Sequence, residues 1–428
     1  MAGQSGVVLE FEPGNAEPGI IMAEATELFR KSDVPGHVPA ECVIEFDLFA
    51  QPAPDEDFFE YWKKLQGEGL PDFVWTPYNG GHWIATRGED IHTIYADHDL
   101  FSSRNILLPV ERNEAIRVLP TSLDPPEHRP FRNLINHGLS PKVVRGLEPS
   151  IRELTVSLIE AFRARGHCEF ASEFAELLPI SLFLRMVNLP VEDRIKLKAL
   201  SEQVNRPDGS MTPEEVNQGF FDYLMPVLLE RRKNPGDDLF SQFLAGSIDG
   251  RPMTDGEAFE LCMQVLIAGL DTVVSVLGFL MMFLARNPGH RRQLVADPAM
   301  IPPAVEEFLR RFPLVAIPRT VIRDMEFQGV TFKEGDLILV PTMLHGLDDR
   351  AYRCPLDVDF SRRIGIHSTF GAGVHRCPGS LLARAELRIF LEEWLSRIPD
   401  FDIAPGRTPK VLYGIVGTVV DLPLVWQA

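Results

Sequence analysis

Along most of the chain apolar residues return every three to four positions, the period of a helix with one packed face, and only short stretches alternate with the period of two that marks a strand. Pro141 to Arg165 shows the first pattern, with Leu147, Ile151, Leu154, Leu158 and Phe162 on one stripe and charges opposite. Further helices are predicted to open near Asp55, at Pro213 behind Ser210-Met211-Thr212, at Asp255, at Pro302-Pro303 and at Pro378, because each offers the Pro, Asp or Thr that a first helical turn accepts. Leu261 to Ala285 is apolar almost throughout and long enough to cross a bilayer core, which takes about 20 residues. Asp271 near its middle points instead to a helix buried in a large soluble core that places one acid at a site. Strand signals are fewer. Phe73 to Tyr78 and His82 to Thr86 flank Asn79-Gly80-Gly81 as a hairpin would, and Val321 to Val340 alternates around Gln328-Gly329 and Glu334-Gly335. The pattern predicts a mainly α protein with small β-sheets, an α+β class. No Ser/Gly linker, repeat or charge block cuts the chain, so the expected organisation is an N-terminal tail over residues 1–40 and a single helix-rich domain over 41–428.

Composition narrows the class. The 428 residues are 45% hydrophobic and 24% charged, as in ordinary globular proteins, and the net charge of −19 disfavours nucleic acid and anionic membranes as partners. Cys42, Cys168, Cys262, Cys354 and Cys377 are odd in number, widely spaced and without a C-x-x-C pair, which speaks against a disulfide framework or a zinc site. A reducing compartment fits, and an N-terminus that lacks a basic flank and apolar run fits a cytoplasmic location.

Chemistry concentrates in Phe370-Gly-Ala-Gly-Val-His-Arg-Cys377-Pro-Gly379, ahead of a helix expected over Ser380 to Ile398 with Leu387, Leu391, Trp394, Leu395 and Ile398 buried. Its three glycines let the backbone turn tightly and approach a flat ligand. A cysteine just before a helix N-terminus gains from the positive end of the dipole, which favours thiolate. A lone cysteine is more often a packing residue; the glycine and helix context turns Cys377 toward metal ligation or nucleophilic attack. A nucleophile needs a base oriented on it, and His375, two residues away in a loop, seldom has that geometry. Glu307 and Arg310 stand three apart on a short helix over Ala304 to Phe312, a pairing that by itself is mostly a surface feature. In Ala268-Gly-Leu-Asp271-Thr272 the acid and alcohol form either an internally satisfied kink or a proton relay, and these residues alone leave both open.

Phe370, Gly373, His375, Cys377 and Gly379 fit F-x-x-G-x-H-x-C-x-G, and through them the sequence resembles the cytochrome P-450 superfamily, in its bacterial class close to the camphor monooxygenase family. The likeness runs from about Phe73 to the C-terminus, through Asn79 to Gly88, Pro120 to Glu127, Arg206 to Thr212, Gly269 to Val274 and Ile398-Pro-Asp-Phe. It implies one large helix-rich domain with haem b between the long central helix and the helix after the cysteine loop. Cys377 is then the axial iron ligand, whose thiolate pushes electron density that favours O–O cleavage. By the same resemblance His128, Arg132, Arg319 and His375, with Phe370, bind the haem, the cations meeting its propionates. The family's propionate-side aspartate is here Ile317. Glu307, Arg310 and Arg362 become a structural trio behind the haem. Thr272 would hold dioxygen by a hydrogen bond and Asp271 would deliver protons to it, with Lys198 and Arg206 pairing with the acid.

Departures from the family argue the substrate. The tyrosine that meets the ketone of camphor falls at Ile116, so that donor is gone and discrimination for a ketone drops. Leu107, Val118, Thr121, Asn205, Ile267, Val315, Ile415 and Val416 complete a mainly apolar wall, with Asn205 and Gln264 as candidates for a replacement polar contact. The implied function is a monooxygenase hydroxylating a small or medium terpenoid or norisoprenoid of the ionone kind. A camphor-type ketone hydroxylase is the alternative; a non-catalytic haem sensor or carrier is the alternative from another class, and intact Asp271-Thr272 argues against it. A colourless cysteine-nucleophile hydrolase is a third. Pro378 has no N–H to give the thiolate, which predicts a lower haem potential. Without a G-x-G-x-x-G fingerprint, electrons must come from outside. The resemblance implies a 2Fe–2S ferredoxin with an NAD(P)H-dependent reductase, docking near Arg129, Arg132 and Arg376 on a monomer. Three basic positions of that face are here His92, His98 and Ile364, which weakens charge steering.

Overall fold

The computed structural model describes residues 30–51 and 56–428, and its axis is the helix Asp255–Arg286. Thr254 and Glu257 start that helix with a reciprocal capping box. It is buried on most sides because helices Leu177–Met186, Arg194–Asn205 and Pro213–Lys233 and the strand Thr418–Asp421 pack around it. Among the described residues it is the one helix long and apolar enough to cross a membrane, and 67% of its most apolar window is buried inside the protein. Gly269 lets a neighbour in closely: a Cβ there would lie 2.6 Å from the ring of Phe183 on the helix Leu177–Met186. At Ile267, Ala268 and Thr272 the covering stops and the helix faces open space.

The helix Pro141–Arg163 forms as its stripe predicts, with the buried line rotated to Val144, Ile151, Thr155, Ile159 and Phe162. Leu147, Leu154 and Leu158 flank it half-buried, because helices Leu177–Met186 and Ser380–Arg397 both pack on this helix and divide its apolar face. Pro213–Lys233 opens on the Thr212–Glu215 capping box. Phe58–Lys63 starts at the Asp57 cap, and Asp55, near which a start was expected, lies outside the described residues. The helix Ser380–Arg397 buries Leu387, Leu391, Trp394 and Leu395, with Ile398 just beyond its end.

The predicted hairpin pairs Phe73 with Ala85 and Thr76 with His82. Its turn uses left-handed backbone at Asn79, Gly80 and Gly81, with φ of 54°, 87° and 75°. The alternating run after Val321 divides into the small hairpin Met325–Phe327 with Val330–Phe332 and the strand Leu337–Pro341. That last strand joins distant parts of the chain, running parallel to His82–Ala85 and antiparallel to Ala316–Val321 in a five-stranded sheet. The N-terminal region is already docked on this sheet before residue 40: Ser32 N–H donates to Pro77 O at 2.8 Å and His37 meets Asp336 at 2.9 Å. The rest of the expected tail, residues 1–29, lies outside the described residues.

Glu307, fully buried, gathers the structural trio. Arg310 gives it two bonds of 2.8 and 2.7 Å, Arg362 Nε one of 3.1 Å and the Asp359 amide one of 3.0 Å, while Arg310 also donates to Gly346 O and Pro355 O at 2.7 Å. A buried ion pair with this many satisfied groups costs several kcal/mol to break by removing one member.

Glu386 is a different kind of buried acid. It is 3% exposed on the helix Ser380–Arg397, one carboxyl oxygen has no partner, and burial pushes its pKa up to about 8. The folded protein therefore keeps a proton that the unfolded chain releases as pH rises from the ordinary carboxyl value toward 8. Stability from this group falls through that window by up to about 1.4 kcal/mol per pH unit. Thermal melts of Glu386→Gln against the parent should show an advantage of the variant that is small near pH 5 and largest near pH 8. An advantage that does not grow with pH would contradict the buried neutral carboxyl.

Candidate active site

Cys377 sits between a short helical turn, Gly373–His375, and the helix Ser380–Arg397. Its amide donates to Phe370 O at 2.8 Å, which closes the loop back on itself. Gly371 and Gly373 have φ of 66° and 63°, and a Cβ on Gly373 would lie 2.8 Å from the backbone of Ala96, so the tight turn requires glycine at both positions. The Phe370 ring is covered by the Arg384 guanidinium at 4.7 Å, itself bound to Glu306 at 2.6 and 3.0 Å. Burial pushes the Cys377 thiol up, although the Gly379 N–H and then Arg132, Arg384 and Arg376 pull it down. The helix terminus was expected to favour thiolate, and the Gly379 N–H at its start acts in that direction. Desolvation outweighs the dipole here, and a metal cation deprotonates a coordinating thiol outright.

Across the sheet edge lies a group of cations and imidazoles with little acid to meet them. His128 and His375 stand edge to face, ring centroids 4.4 Å apart. Neither nitrogen of buried His128 has a partner, and burial with neighbouring His375 and Arg132 brings its pKa down to about 4. Asp124 lies 3.8 Å from His375 Nε2 and also accepts from Ser102 Oγ at 2.5 Å and Ser103 N–H at 3.0 Å. Burial raises Asp124, but these donors win and hold it at about 2. Arg319, 1% exposed on the strand Ala316–Val321, donates to its neighbour's carbonyl at 2.9 Å and lies 4.9 Å over the Tyr95 ring. Arg132 donates to Arg376 O and, at 2.9 Å, to Asn136. Ile317, on the same strand as Arg319, is half-buried and brings no charge.

The central helix carries the acid and the alcohol. Thr272 Oγ1 donates to Ala268 O at 3.1 Å, so its one hydrogen is spent on its own helix and its oxygen remains an acceptor. Asp271, 1% exposed, receives Arg206 Nη2 at 2.7 Å, Arg206 Nη1 at 2.9 Å and Asn205 Nδ2 at 2.8 Å. Burial works against the Arg206 cation, but Asp271 and Glu202 keep its pKa above the ordinary value.

Two expected partners sit elsewhere. Lys198 does not reach Asp271; it binds Glu202 one turn away and Glu176 at 3.1 Å, because the bidentate Arg206 already caps the acid. Asn205, expected as a pocket-lining polar contact, spends its amide on Asp271, since a buried carboxylate claims the nearest donors.

Leu107, Ile116 and Val118 are buried on the loop after Phe101–Ser102, with Thr121 half-buried behind them. Val315 and Val416 face each other as an antiparallel bridge, next to Ile415. Ile267 and Gln264 are half-buried on the central helix. Arg129 and Arg376 are exposed near the cysteine loop, and His92 turns inward against His345, ring centroids 6.2 Å apart. Asp124, Arg384, Arg112 and Glu386 went unnoticed in the sequence, where no spacing links them to Cys377.

These residues fit a haem. The buried side of the cysteine loop offers one thiol, Cys377 Sγ. At one edge lie unpartnered imidazole nitrogens and a buried arginine that lacks a carboxylate, the donor set that a dianionic tetrapyrrole satisfies.

Comparison with known proteins agrees. The cytochrome P450 family model matches residues 208–298 and 299–413. Probable cytochrome P450 127A1 of Sinorhizobium fredii is 32% identical over 407 residues, covering 93% of this chain and 98% of that protein. Nocardicin C N-oxygenase of Nocardia uniformis subsp. tsuyamanensis is 30% identical over 366 residues, covering 82% and 91%. The crystal structure of CYP101J2 aligns at a TM-score of 0.86 and 44% identity over 93% of this chain and all of that one, and that of CYP101C1 at 0.85 and 40%, over 92% and all. The chain belongs to the cytochrome P450 family and is a haem b-dependent monooxygenase close to the CYP101 group.

Proposed function

We propose that the enzyme hydroxylates a small or medium terpenoid or norisoprenoid of the ionone kind, converting R–H, O2, two electrons and two protons into R–OH and water. The observation that carries the substrate reading is Ile116: a buried apolar side chain at the position from which a ketone would otherwise receive its hydrogen bond. Leu107, Val118, Val315, Ile415 and Val416 around it exclude water and favour an apolar skeleton.

Haem, when bound, supplies the activation of oxygen. Cys377 Sγ would ligate its iron, and His128, Arg132, Arg319 and His375, with Phe370, would hold the group, the cations meeting its carboxylates. Thr272 would orient the oxygen molecule once its hydroxyl hydrogen leaves Ala268 O, and Asp271 would carry protons toward it. For that the carboxylate must exchange its bonds to Arg206 and Asn205. Glu202, 3.9 Å from Arg206 and bonded to Lys198, which also holds Glu176, continues the polar chain toward half-exposed groups. Electrons come from a 2Fe–2S ferredoxin, reduced by an NAD(P)H-dependent reductase, that meets Arg129, Arg132 and Arg376. With His98 and Ile364 on that face and His92 turned inward against His345, the docking depends less on charge, and its salt dependence is shallow. The free thiols at Cys42, Cys168, Cys262, Cys354 and Cys377 suit a cytoplasmic monomer.

Titrating the ferric protein with β-ionone and camphor and following the Soret band tests the substrate: a full shift with ionone and little with camphor is expected, and Ile116→Tyr should move preference toward camphor. A stronger response of the parent to camphor would overturn the reading. Asp271→Asn should keep the ionone-induced shift while turnover falls by about a hundredfold or more; near-parental turnover would remove the acid from the mechanism. Pro378→Leu, which returns an N–H beside the sulfur, should raise the haem potential in a redox titration, and an unchanged or lower value would refute the proline's influence.

A further inference from the structure

Between Leu261 and Ala285 the central helix carries four side chains with oxygen or nitrogen: Gln264, Asp271, Thr272 and Ser275. Three of them are engaged. Asp271 is held by Arg206 and Asn205, Thr272 Oγ1 donates to Ala268 O at 3.1 Å, and Ser275 Oγ donates to Asp271 O at 2.9 Å. Gln264 has no hydrogen-bond partner among the described residues. A carboxamide brings two N–H donors and a carbonyl that an apolar helix does not need, and leucine would serve the same turn and its packing better. Neither the helix nor its neighbours explain this side chain.

Its position does. Gln264, Ala268 and Thr272 follow one another at intervals of four, the spacing of neighbours along one face of a helix. All three are at least partly accessible, while Val265, Leu266 and Leu270 between them are buried. One turn before Gln264, Glu260 O accepts from Leu119 N–H at 3.4 Å, which brings the loop with Ile116 and Val118 against the helix. Gln264 thus stands on the helix between that loop and Thr272, from which eight residues separate it by about 12 Å along the axis. Asn205, the other amide expected to make a polar contact, is bonded to Asp271. Thr121 is half-buried on the loop, but only Gln264 shares with Thr272 one rigid element that fixes the distance between them.

We propose that Gln264 is the specificity-determining residue of this pocket: its side-chain N–H donates to the single oxygen of an oxygenated terpenoid or norisoprenoid, and a carbon distal to that oxygen is hydroxylated. This contact rests on the terpenoid reading above and replaces the donor lost at Ile116. An apolar skeleton that fills the pocket takes water away from Gln264, and an amide left without a partner then opposes binding, whereas a carbonyl within its reach compensates. The pocket therefore selects an oxygenated skeleton over a plain hydrocarbon of the same shape. With the donor on the helix about two turns from Thr272, the ketone is held away from the oxygen molecule that Thr272 orients, and attack falls at the other end of the substrate.

β-Ionone and its deoxygenated analogue, with CH2 in place of the carbonyl, separate the amide's contact from apolar packing. Their dissociation constants are read from the Soret shift of the haem-loaded parent, Gln264→Leu, Gln264→Met and Thr121→Val, beside the distribution of alcohols formed from ionone. The parent should bind ionone about tenfold more tightly than the analogue, and both Gln264 variants should bind the two ligands alike. The single distal alcohol of the parent should give way to a mixture in those variants. A preference for ionone that survives in both Gln264 variants would overturn the proposal, and its loss in Thr121→Val alone would assign the contact to the threonine hydroxyl instead. Equal binding of ionone and analogue by the parent would also refute it. Failure of the terpenoid reading looks different: the parent then gives no shift with ionone, which sinks both, whereas an ionone shift with an unaltered preference in the variants sinks the Gln264 contact by itself.

Discussion

A carboxylate in the middle of an apolar helix has to be met by donors or it does not stay charged, and much of this molecule is arranged around meeting it. Asp271 is bonded by Arg206 at both oxygens and by Asn205 at one, and these two residues are the last residue of the helix Arg194–Asn205 and the one after it. The direction of that helix, the approach of the 415–416 segment and the seat of the 104–119 loop are all fixed at the same few residues. An isolated charge at this depth would cost several kcal/mol.

The opposite wall follows a contrasting logic. Around Cys377 the loop spends its backbone on itself, and of the positive groups nearby Arg384 meets Glu306 while Arg132 and Arg319 bond only neutral groups. His128 has unpartnered nitrogens, Arg319 has a carbonyl and a ring face, and Asp124 alone among the acids stands close to His375. Left so, this layer is electrostatically incomplete. A dianionic cofactor completes it, and its metal supplies the thiolate stabilisation that burial at Cys377 withholds. Cofactor binding and the stability of this half of the protein are thus linked, as for any group that binds only the folded state.

Behind the site, Glu307, Arg310 and Arg362 show the same economy in a purely structural setting. Every oxygen of Glu307 is used, and Arg310 ties two backbone stretches together, through Gly346 on one and Pro355 and Asp357 on the other. The trio fixes the 346–362 segment against the helix Ile301–Arg311.

Local signals carried much of this into the sequence. The hairpin at Asn79-Gly80-Gly81, the capping residue Thr212, the stripe of Pro141–Arg163 and the glycines before Cys377 are short-range, because turn geometry, capping and periodicity are decided within a few residues. The thiolate loop and the Asp271-Thr272 pair were legible for that reason. Tertiary structure decided which partner each charge takes. Lys198 and Asn205 were assigned to the acid and to the pocket, and the fold gave Lys198 to Glu176 and Glu202 and Asn205 to Asp271, since distance in space and competition among donors are invisible in spacing. The parallel pairing of Leu337–Pro341 with His82–Ala85, and the reach of Arg112 to carbonyls some 91 residues away, are of the same kind. Sequence determined the chemistry available, and packing determined which groups remain free to perform it.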